Sequence, residues 1–516
     1  MAVRQLLLIL ILMGTAGSGA AASVPMAFAE LDGLPSAGAL AVPVASGLKL
    51  PDALSDATAD AIRKAATAAR FTAERGKTLS LYNLAGYERV TLVGTGDGAP
   101  TALALQDLGG SIVKAMGRTT LETVSIIAPA STEGVAHPAA EIALGLQLGG
   151  YRFDRYKSKD EDDTAAVDTV FVVYSPDSEN NAAAWHSGGL PVARGVYFAR
   201  DLISEPGNIV YPQSFVERTR AAFRGTDKVK IRVLDEKAME KRGMGALLGV
   251  GMGSARPPRL MLVEYRGAGP NDPTLAFVGK GVTFDTGGIT LKRGSGMWKM
   301  KYDLSGAAAV TGAVLALAQR EARVNAVAVA ALVENMPSER AQRPGDVRRT
   351  MAGKTIEVLN TDAEGRLILA DAVWYAQVQY QPVVLIDLAT LTGSVRTALG
   401  NTYAGMFSRD DELAERLVGA GRRAGEEVWR LPLHENFRKA LRSDIADIKN
   451  VAEGGGGASV GAEVIGTFVK PEQSWAHLDI ASRAWQGTAS PTIPKGAGGW
   501  GVRLLNQLVL DYYEGD

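Results

Sequence analysis

The sequence predicts an α/β fold in two domains: a smaller N-terminal α/β domain and a larger C-terminal domain whose mostly parallel sheet is flanked by helices. The chain has 516 residues, and at roughly 150 residues per domain this length allows two to four domains. From about residue 200 onward, continuous apolar strands alternate with helical segments, which is typical of a parallel sheet covered on both faces.

The N-terminal domain is predicted to span residues 30–195, where short strand and helix patterns are mixed. Strands are predicted at residues 48–50, 89–94 and 169–174, and helices at 56–75 and 100–116.

The C-terminal domain is predicted to span residues 196–516 and to supply the strand-and-helix alternation. Strands are predicted at residues 274–279, 325–333 and 382–388, and helices at 305–320 and 364–379. In such folds ligands bind outside the carboxyl ends of the strands, so acidic residues that follow strand ends are the candidates for a site.

Residues 1–29 have the pattern of a secretory signal peptide. Arg4 precedes an apolar run over residues 6–13, and either Ala27-Phe28-Ala29 or Ala20-Ala21-Ala22 fits a small-residue cleavage site. The run is too short to span a hydrocarbon layer of about 30 Å, and no later segment is predicted to cross a membrane. Export to a periplasmic or extracellular location is therefore expected.

Composition excludes several classes of protein. Hydrophobic residues make up 46% and charged residues 22%, so wholesale disorder and fibrous structure are excluded. The formal net charge of −1 gives no basic excess for nucleic acid or an acidic membrane. With no cysteine and four scattered histidines, any metal must be held by oxygen ligands or by an unusual group.

The first candidate segment follows the strand predicted at 274–279. Lys280 and Asp285 flank a short extended stretch, Gly287-Gly288 permits φ > 0, and Asp303 stands at the start of the alanine-rich helix. Taken singly, these residues suit a surface lysine, a turn aspartate and a helix N-cap.

The second candidate segment is NTDAEGRL at residues 360–367. Asp362 and Glu364 point to the same side only if the segment is extended or looped before its helix begins. Arg366 and the backbone N–H groups of the helix start could bind an anion. The alternative is a helix start whose acidic residues complement the helix dipole.

Together the two segments place three aspartates, one glutamate, two lysines and one arginine beside glycines at strand ends. Oxygen-rich ligation of two divalent ions is the natural proposal. A lysine can join such a site because dications and burial depress an amine pKa, and the neutral amine can ligate.

These segments resemble the leucyl aminopeptidase (cytosol aminopeptidase) family. NTDAEGRL matches the family signature, and residues 278–292, 299–310, 389–393 (ATLTG) and 477–481 (HLDIA) resemble further family segments. The likeness runs from about residue 200 to 510 and is weak over 30–195. It implies a metal-dependent aminopeptidase that removes N-terminal residues, leucine and other apolar ones favoured, from peptides with a free N-terminus.

The resemblance also implies a role for each matching position. Asp285 and Glu364 would bridge two metal ions, Lys280 and Asp303 would complete the tighter site, and Asp362 would complete the more exchangeable one. Lys292 would bind the scissile carbonyl oxygen or the metal-bound oxyanion, and Arg366 would hold a bicarbonate that acts as general base. Met300, Thr390 and Gly393 would line the pocket for the first side chain.

The family further implies its cofactors and assembly. Two divalent ions are expected, Zn or Mn with Mg or Co as further candidates, together with bicarbonate. A homohexamer built from two trimers is expected, and a cytoplasmic location is the family-based alternative to export.

Two other functions stay open at this point. Carboxylates and Arg366 could serve a two-metal hydrolase that acts on phosphate esters. Alternatively, the chain could be a non-catalytic DNA-binding or scaffold protein on a peptidase fold, although its charge and the full set of site residues argue against this.

Overall fold

A computed structural model describes residues 23–117, 121–129, 132, 134–158 and 169–514. These residues divide into two compact units: the first ends at Ala193 and includes Thr488–Lys495, and the second comprises Arg194–Gly487 and the chain from Gly496 onward. Most of the predicted signal segment, residues 1–22, lies outside the described residues. The domain boundary drawn between residues 195 and 196 stays a prediction.

The first unit is built on a six-stranded sheet with the order β1-β6-β5-β2-β4-β3. All neighbouring strands are parallel except β3 and β4. The strands are β1 Met26–Glu30, β2 Gly38–Ala45, β3 Thr78–Leu84, β4 Tyr87–Gly96, β5 Thr123–Ile127 and β6 Val170–Ser175. The helices are α1 Asp56–Ala68, α2 Ala102–Met116, α3 Pro138–Gly150, α4 Ser178–Ala184 and α5 Leu190–Ser204, the last of which continues past Ala193.

Two sequence-based assignments in this unit are wrong. Residues 48–50 form a turn and an isolated bridge rather than a strand, because Leu48 adopts a left-handed φ of 55° that no strand permits. The helix predicted over 56–75 ends at Ala68, since Arg70 and Ala73 both have a φ of 55°. The other three predicted elements closely match β4, β6 and α2.

The second unit contains an eight-stranded sheet with the order β15-β14-β17-β13-β9-β10-β8-β7. Its strands are β7 Val229–Leu234, β8 Arg259–Arg266, β9 Thr274–Asp285, β10 Asn325–Asn335, β13 Val384–Ala389, β14 Ala404–Ser408, β15 Val428–Arg430 and β17 Trp475–Asp479. Smaller sheets contain β11 Asp346–Arg349, β12 Thr355–Val358, β16 Ile448–Lys449, β18 Trp485–Gln486 and β19 Gly496–Ala497. The α-helices are α6 Pro212–Ala222, α7 Glu236–Glu240, α8 Gly245–Gly251, α9 Ser305–Gln319, α10 Gly365–Tyr380, α11 Gly393–Leu399, α12 Asp411–Ala424, α13 Glu435–Ala440, α14 Gly457–Gly466 and α15 Val502–Tyr512.

The predicted α/β class with a mostly parallel sheet is confirmed. The central strands β17, β13, β9 and β10 of the eight-stranded sheet are all parallel. Within that sheet, antiparallel pairing is confined to β14 with β17, β8 with β10 and β7 with β8. Every residue of β10 and β13 is buried. This explains why these strands read as continuous apolar runs.

Helices cover both faces of the central strands. Val278 of β9 belongs to the same apolar core as the buried face of α10. The next residue, Gly279, faces α9 so closely that an added Cβ would lie 2.5 Å from the backbone of Ala307. Because helices cover both faces of the sheet, a ligand site is expected at the carboxyl edge of the parallel strands. Among the described residues, no helix is both long and apolar enough to cross a membrane.

Candidate functional site: an acidic centre at the sheet edge

The site is built where β9, β10 and β13 end. Lys280 and Asp285 lie on β9, which extends to Asp285 instead of ending at residue 279 as the sequence predicts. Asn335 ends β10 and pairs with Asp285, and Thr390 directly follows β13. Parallel strands bring these ends to one edge of the sheet, as expected.

An irregularity in β9 decides which way Asp285 points. Val282 pairs with Val333 and Asp285 pairs with Asn335, so β9 advances by three residues where β10 advances by two. Lys280 and Asp285 are an odd number of residues apart and would face opposite sides of a regular strand. The extra residue reverses the alternation, which brings the carboxylate to the side of the lysine.

Asp285, Asp303 and Glu364 form a buried acidic cluster. One carboxylate oxygen from each lies within 4.8 Å of the others. Asp303 is contributed by the 3₁₀ helix Met297–Leu304 and not, as the sequence predicts, by the start of the alanine-rich helix α9. The amine of Lys280 lies 2.9 Å from Asp303 Oδ2 and 2.8 Å from Glu364 Oε1.

Lys292 and Asp362 adjoin this cluster. The amine of Lys292 lies 2.7 Å from Asp285 Oδ2 and also pairs with Asp362 Oδ1. Asp362 and Glu364 both precede the first residue of α10, as the looped arrangement requires. Gly365 is demanded by close approach, because an added Cβ would lie 2.8 Å from Lys280 Cδ.

Asn335 is a site residue that the sequence interpretation missed. Its amide donates to Asp285 Oδ1 at 2.8 Å and to the carbonyl of Thr361 at 3.1 Å. It thereby connects the two candidate segments. Its position just after the strand predicted at 325–333 was the signal that could have identified it.

Asp479 is a second missed residue, and it holds the loop after β13. It is fully buried and accepts hydrogen bonds from the backbone N–H of Leu391 at 3.1 Å and from the Thr392 hydroxyl at 2.7 Å. The loop in turn presents Thr390, whose hydroxyl donates to Asp303 Oδ1 at 2.6 Å. The Thr390 carbonyl accepts from the Lys280 amine at 2.8 Å.

The other two predicted substrate-binding residues lie on the same two segments. Met300 is half-buried in the 3₁₀ helix that carries Asp303. Gly393 is exposed and begins α11, directly after the loop that contains Thr390.

Burial and crowding disfavour the charged form of several of these carboxylates. Burial, with repulsion from Glu364 and Asp303, raises the pKa of Asp285 to about 7. Burial, with repulsion from Asp285, raises the pKa of Asp362 to about 6. Burial acts to lower the pKa of Lys280, but the attraction of Asp303, Glu364 and Asp285 outweighs it and the pKa is raised. The centre therefore carries an excess of negative charge that further cations would relieve.

The donor set fits divalent cations. Four carboxylates surround two lysine amines, and oxygen donors of this kind suit hard or borderline metal ions. Glu364 Oε2 is buried and has no hydrogen-bond partner among the described residues. A bound cation would satisfy that oxygen.

Arg366 is a buried cation near this centre. Its guanidinium donates to the carbonyl of Asn450 at 2.8 Å, while Nε is buried without a partner among the described residues. Burial lowers the pKa of Arg366, against the attraction of Glu364 and Asp479. Within the described part of the chain, no carboxylate forms an ion pair with it, so an anion could bind there.

These features define the class of protein: an α/β protein with a buried carboxylate–lysine centre, suited to divalent cations, at the carboxyl edge of a parallel sheet. Comparison with known proteins agrees. The model of the cytosol aminopeptidase family, catalytic domain, matches residues 197–506. The model of the same family's N-terminal domain matches residues 41–160. The chain belongs to the cytosol aminopeptidase family.

Individual relatives are similar over nearly their whole length. The probable cytosol aminopeptidase of Chelativorans sp. (strain BNC1) is 43% identical over 497 residues, covering 95% of this chain and 99% of the relative. That of Caulobacter vibrioides is 44% identical over 473 residues, covering 90% and 93%.

Solved structures are similar as well. A mutant of tomato leucine aminopeptidase superposes with a TM-score of 0.82 at 31% identity, covering 96% of this chain and 97% of that one. The bottromycin maturation enzyme BotP in complex with Mn superposes with a TM-score of 0.80 at 32% identity, covering 92% and 99%. This protein is therefore an aminopeptidase that depends on divalent metal ions. The phosphate-ester and non-catalytic alternatives are not favoured.

Asp479→Ala should weaken the metal centre without removing any charged group that touches it. Loss of the carboxylate frees the loop that presents Thr390 to Lys280 and Asp303. Mutation of residues that support metal ligands in this way typically lowers metal affinity or activity about 10- to 100-fold. Calorimetric titration of metal-free protein with Mn²⁺ measures the affinity.

Asp371→Ala is the matched control, because Asp371 is also buried and accepts two backbone hydrogen bonds, from Leu247 and Met351. It should lower the melting temperature yet leave the Mn²⁺ affinity unchanged. Equal Mn²⁺ affinities in the Asp479 variant and the wild type would show that Asp479 does not support the metal site.

Proposed function

We propose that two divalent ions, Zn or Mn with Mg or Co as further candidates, are held by Lys280, Asp285, Asp303, Asp362 and Glu364. The observation that carries this assignment is the buried Asp285–Asp303–Glu364 cluster, whose carboxylates outnumber the lysines that accompany them. When bound, such ions activate water as a nucleophile and polarise a carbonyl group.

Lys280 and Lys292 take different roles in this proposal. The amine of Lys280 is enclosed by Asp303, Glu364 and the Thr390 carbonyl, so it serves as a ligand once cations replace its positive charge. Lys292 is partly exposed, with 21% of its side chain accessible. It can therefore reach a substrate and stabilise negative charge that develops on the scissile carbonyl oxygen.

Arg366 is proposed to hold a bicarbonate ion that acts as general base. A buried guanidinium with a free Nε and no carboxylate partner among the described residues offers planar, paired donors to a carboxylate-shaped anion. Arg366 would hold and orient this anion, which would supply general-base chemistry for the attacking water.

The substrates are proposed to be peptides with a free N-terminus and an apolar first residue. Met300, Thr390 and Gly393 would line the pocket for that residue. Thr390 bonds directly to Asp303, so the pocket would begin beside the metal ligands.

Export is proposed to involve cleavage after Ala22 rather than after Ala29. Strand β1 pairs in parallel with β6, and the backbone of Val24 exchanges two hydrogen bonds with the side chain of Gln147, at 3.2 and 2.6 Å. Cleavage after Ala29 would remove most of this edge strand. The mature chain would then consist of an N-terminal domain from residue 23 to 195 and a catalytic domain over 196–516.

Glu364→Ala should abolish peptide hydrolysis and lower the number of ions bound per chain, because it removes a buried carboxylate that would hold the metal. Asp303→Ala should act in the same way. Metal content after dialysis is measured by atomic emission, beside turnover of leucinamide.

The control for these variants is Asp235→Ala, which removes the N-cap of α7. It should cost about 1 kcal/mol of stability and leave metal content and turnover intact. Full metal content and normal turnover in either site variant would refute the ligand assignment.

Arg366→Ala should lower kcat by about 10² to 10⁴ and leave metal content intact, since loss of a general base has this cost. Added bicarbonate should stimulate the wild type in carbonate-depleted buffer and leave the variant unchanged. Arg366→Lys should restore activity only in part, because an ammonium lacks the planar two-point donor set.

Arg409→Ala is the control for loss of a half-buried guanidinium elsewhere, since Arg409 donates to the Gly466 carbonyl and lies over Trp475. Melting temperatures are measured for all variants. An unchanged kcat in Arg366→Ala with a lowered melting temperature would reduce Arg366 to a packing role.

The exported mature chain should begin at Ser23 and assemble as a homohexamer, the closed symmetry of two trimers that the family implies. Cell fractionation followed by intact-mass measurement gives the location and the N-terminus, and light scattering should give roughly six chains per particle. A mature chain that begins at Glu30 would contradict the cleavage site, and an uncleaved cytoplasmic chain would contradict export. A monomer would contradict the hexamer.

A further inference from the structure

The segments that carry Lys292 and Asp303 also expose large apolar side chains. Leu291 is 60% exposed beside Lys292, and Trp298 is 62% exposed in the same 3₁₀ helix as Asp303. Single exposed apolar residues are ordinary on protein surfaces, so the contacts of Trp298 with other aromatic rings decide whether it belongs to a binding surface.

Trp298 belongs to an aromatic group that reaches the acidic cluster. Its ring lies 6.0 Å from that of Trp485 in an edge-on contact, and the ring of Tyr302 lies 6.1 Å from Trp485. Tyr302 directly precedes Asp303 in the chain. Trp298, Tyr302 and Trp485, which we term the aromatic mouth, therefore extend from the exposed ring of Trp298 to the residue that is next to Asp303 in the chain.

Two lysine amines border the aromatic mouth, and that of Lys301 also donates to the Ser204 carbonyl. Lys299 Nζ lies 5.5 Å from the ring centre of Trp298, and Lys301 Nζ lies 5.8 Å from that of Trp485. A surface that combines aromatic rings with ammonium groups complements an apolar side chain that ends near a carboxylate. Short peptides have this chemistry at their C-terminal residue.

We propose that the aromatic mouth binds an apolar side chain of the substrate beyond the cleaved bond, and so makes the enzyme prefer short peptides with an aromatic C-terminal residue. The first residue must enter the buried centre for its peptide bond to be cut. We place the rest of the peptide along the exposed side, where Trp298 lies. This inference rests on the aminopeptidase activity and adds a determinant of specificity to it.

The experiment compares kcat/KM for Leu-Gly-Phe, Leu-Gly-Gly and leucinamide in the wild type and in Trp298→Ala. The wild type should prefer Leu-Gly-Phe to Leu-Gly-Gly, and the variant should reduce that preference by about two- to tenfold, the size of one aromatic contact. The loss should appear mainly in KM. Trp298→Phe should retain most of the preference.

Trp429→Ala is the matched control, because Trp429 is 54% exposed on β15 and contacts Tyr403. It should keep the wild-type preference. An unchanged preference in Trp298→Ala overturns the proposal, and a smaller particle in light scattering with unchanged preference would assign Trp298 to a contact between chains instead. Wild-type protein that fails to hydrolyse leucinamide would refute the underlying activity itself.

Discussion

The site depends on one electrostatic constraint: carboxylates are buried against each other at the carboxyl edge of the parallel strands. Asp285, Asp303 and Glu364 bring oxygens within 4.8 Å of one another at almost no solvent exposure. Charges in such surroundings cost several kcal/mol each unless they are compensated. The two lysines compensate part of the charge, and the divalent ions that this family uses would compensate the remainder.

The buried Lys280 side chain that partly compensates these charges packs closely against the backbone at Gly365. The Lys280 side chain must pass between α10 and the loop after β13 to reach Asp303 and Glu364, which leaves room only for a glycine at position 365. The loop is fixed from its other side by Asp479. Neutral donors, the Thr390 hydroxyl and the Asn335 amide, then orient the carboxylates without adding charge.

The sequence was most informative where structure follows from continuous apolar runs and from local motifs. Strands at 325–333 and 382–388 and the looped NTDAEGRL segment could be predicted, because burial on both faces and carboxylate spacing leave direct marks in the sequence. The irregularity in β9 could not be predicted, since it depends on the register with β10. The end of α1 was missed for a different reason: Arg70 and Ala73 are both good helix formers, and neither residue type indicates the left-handed φ that it adopts after the helix ends.

His477 has a structural position inside the sheet and is not one of the proposed metal ligands. His477 of β17 is fully buried, lies 2.6 Å from Asp387 of β13 and stacks on Phe407, so it joins neighbouring strands inside the sheet. The acidic centre is thus left with carboxylates and amines as its ionisable groups. Burial and repulsion raise the pKa of Asp285 to about 7 and that of Asp362 to about 6. A cation binds the ionised form of these carboxylates, so the burial that raises their pKa values also links metal binding to the release of protons.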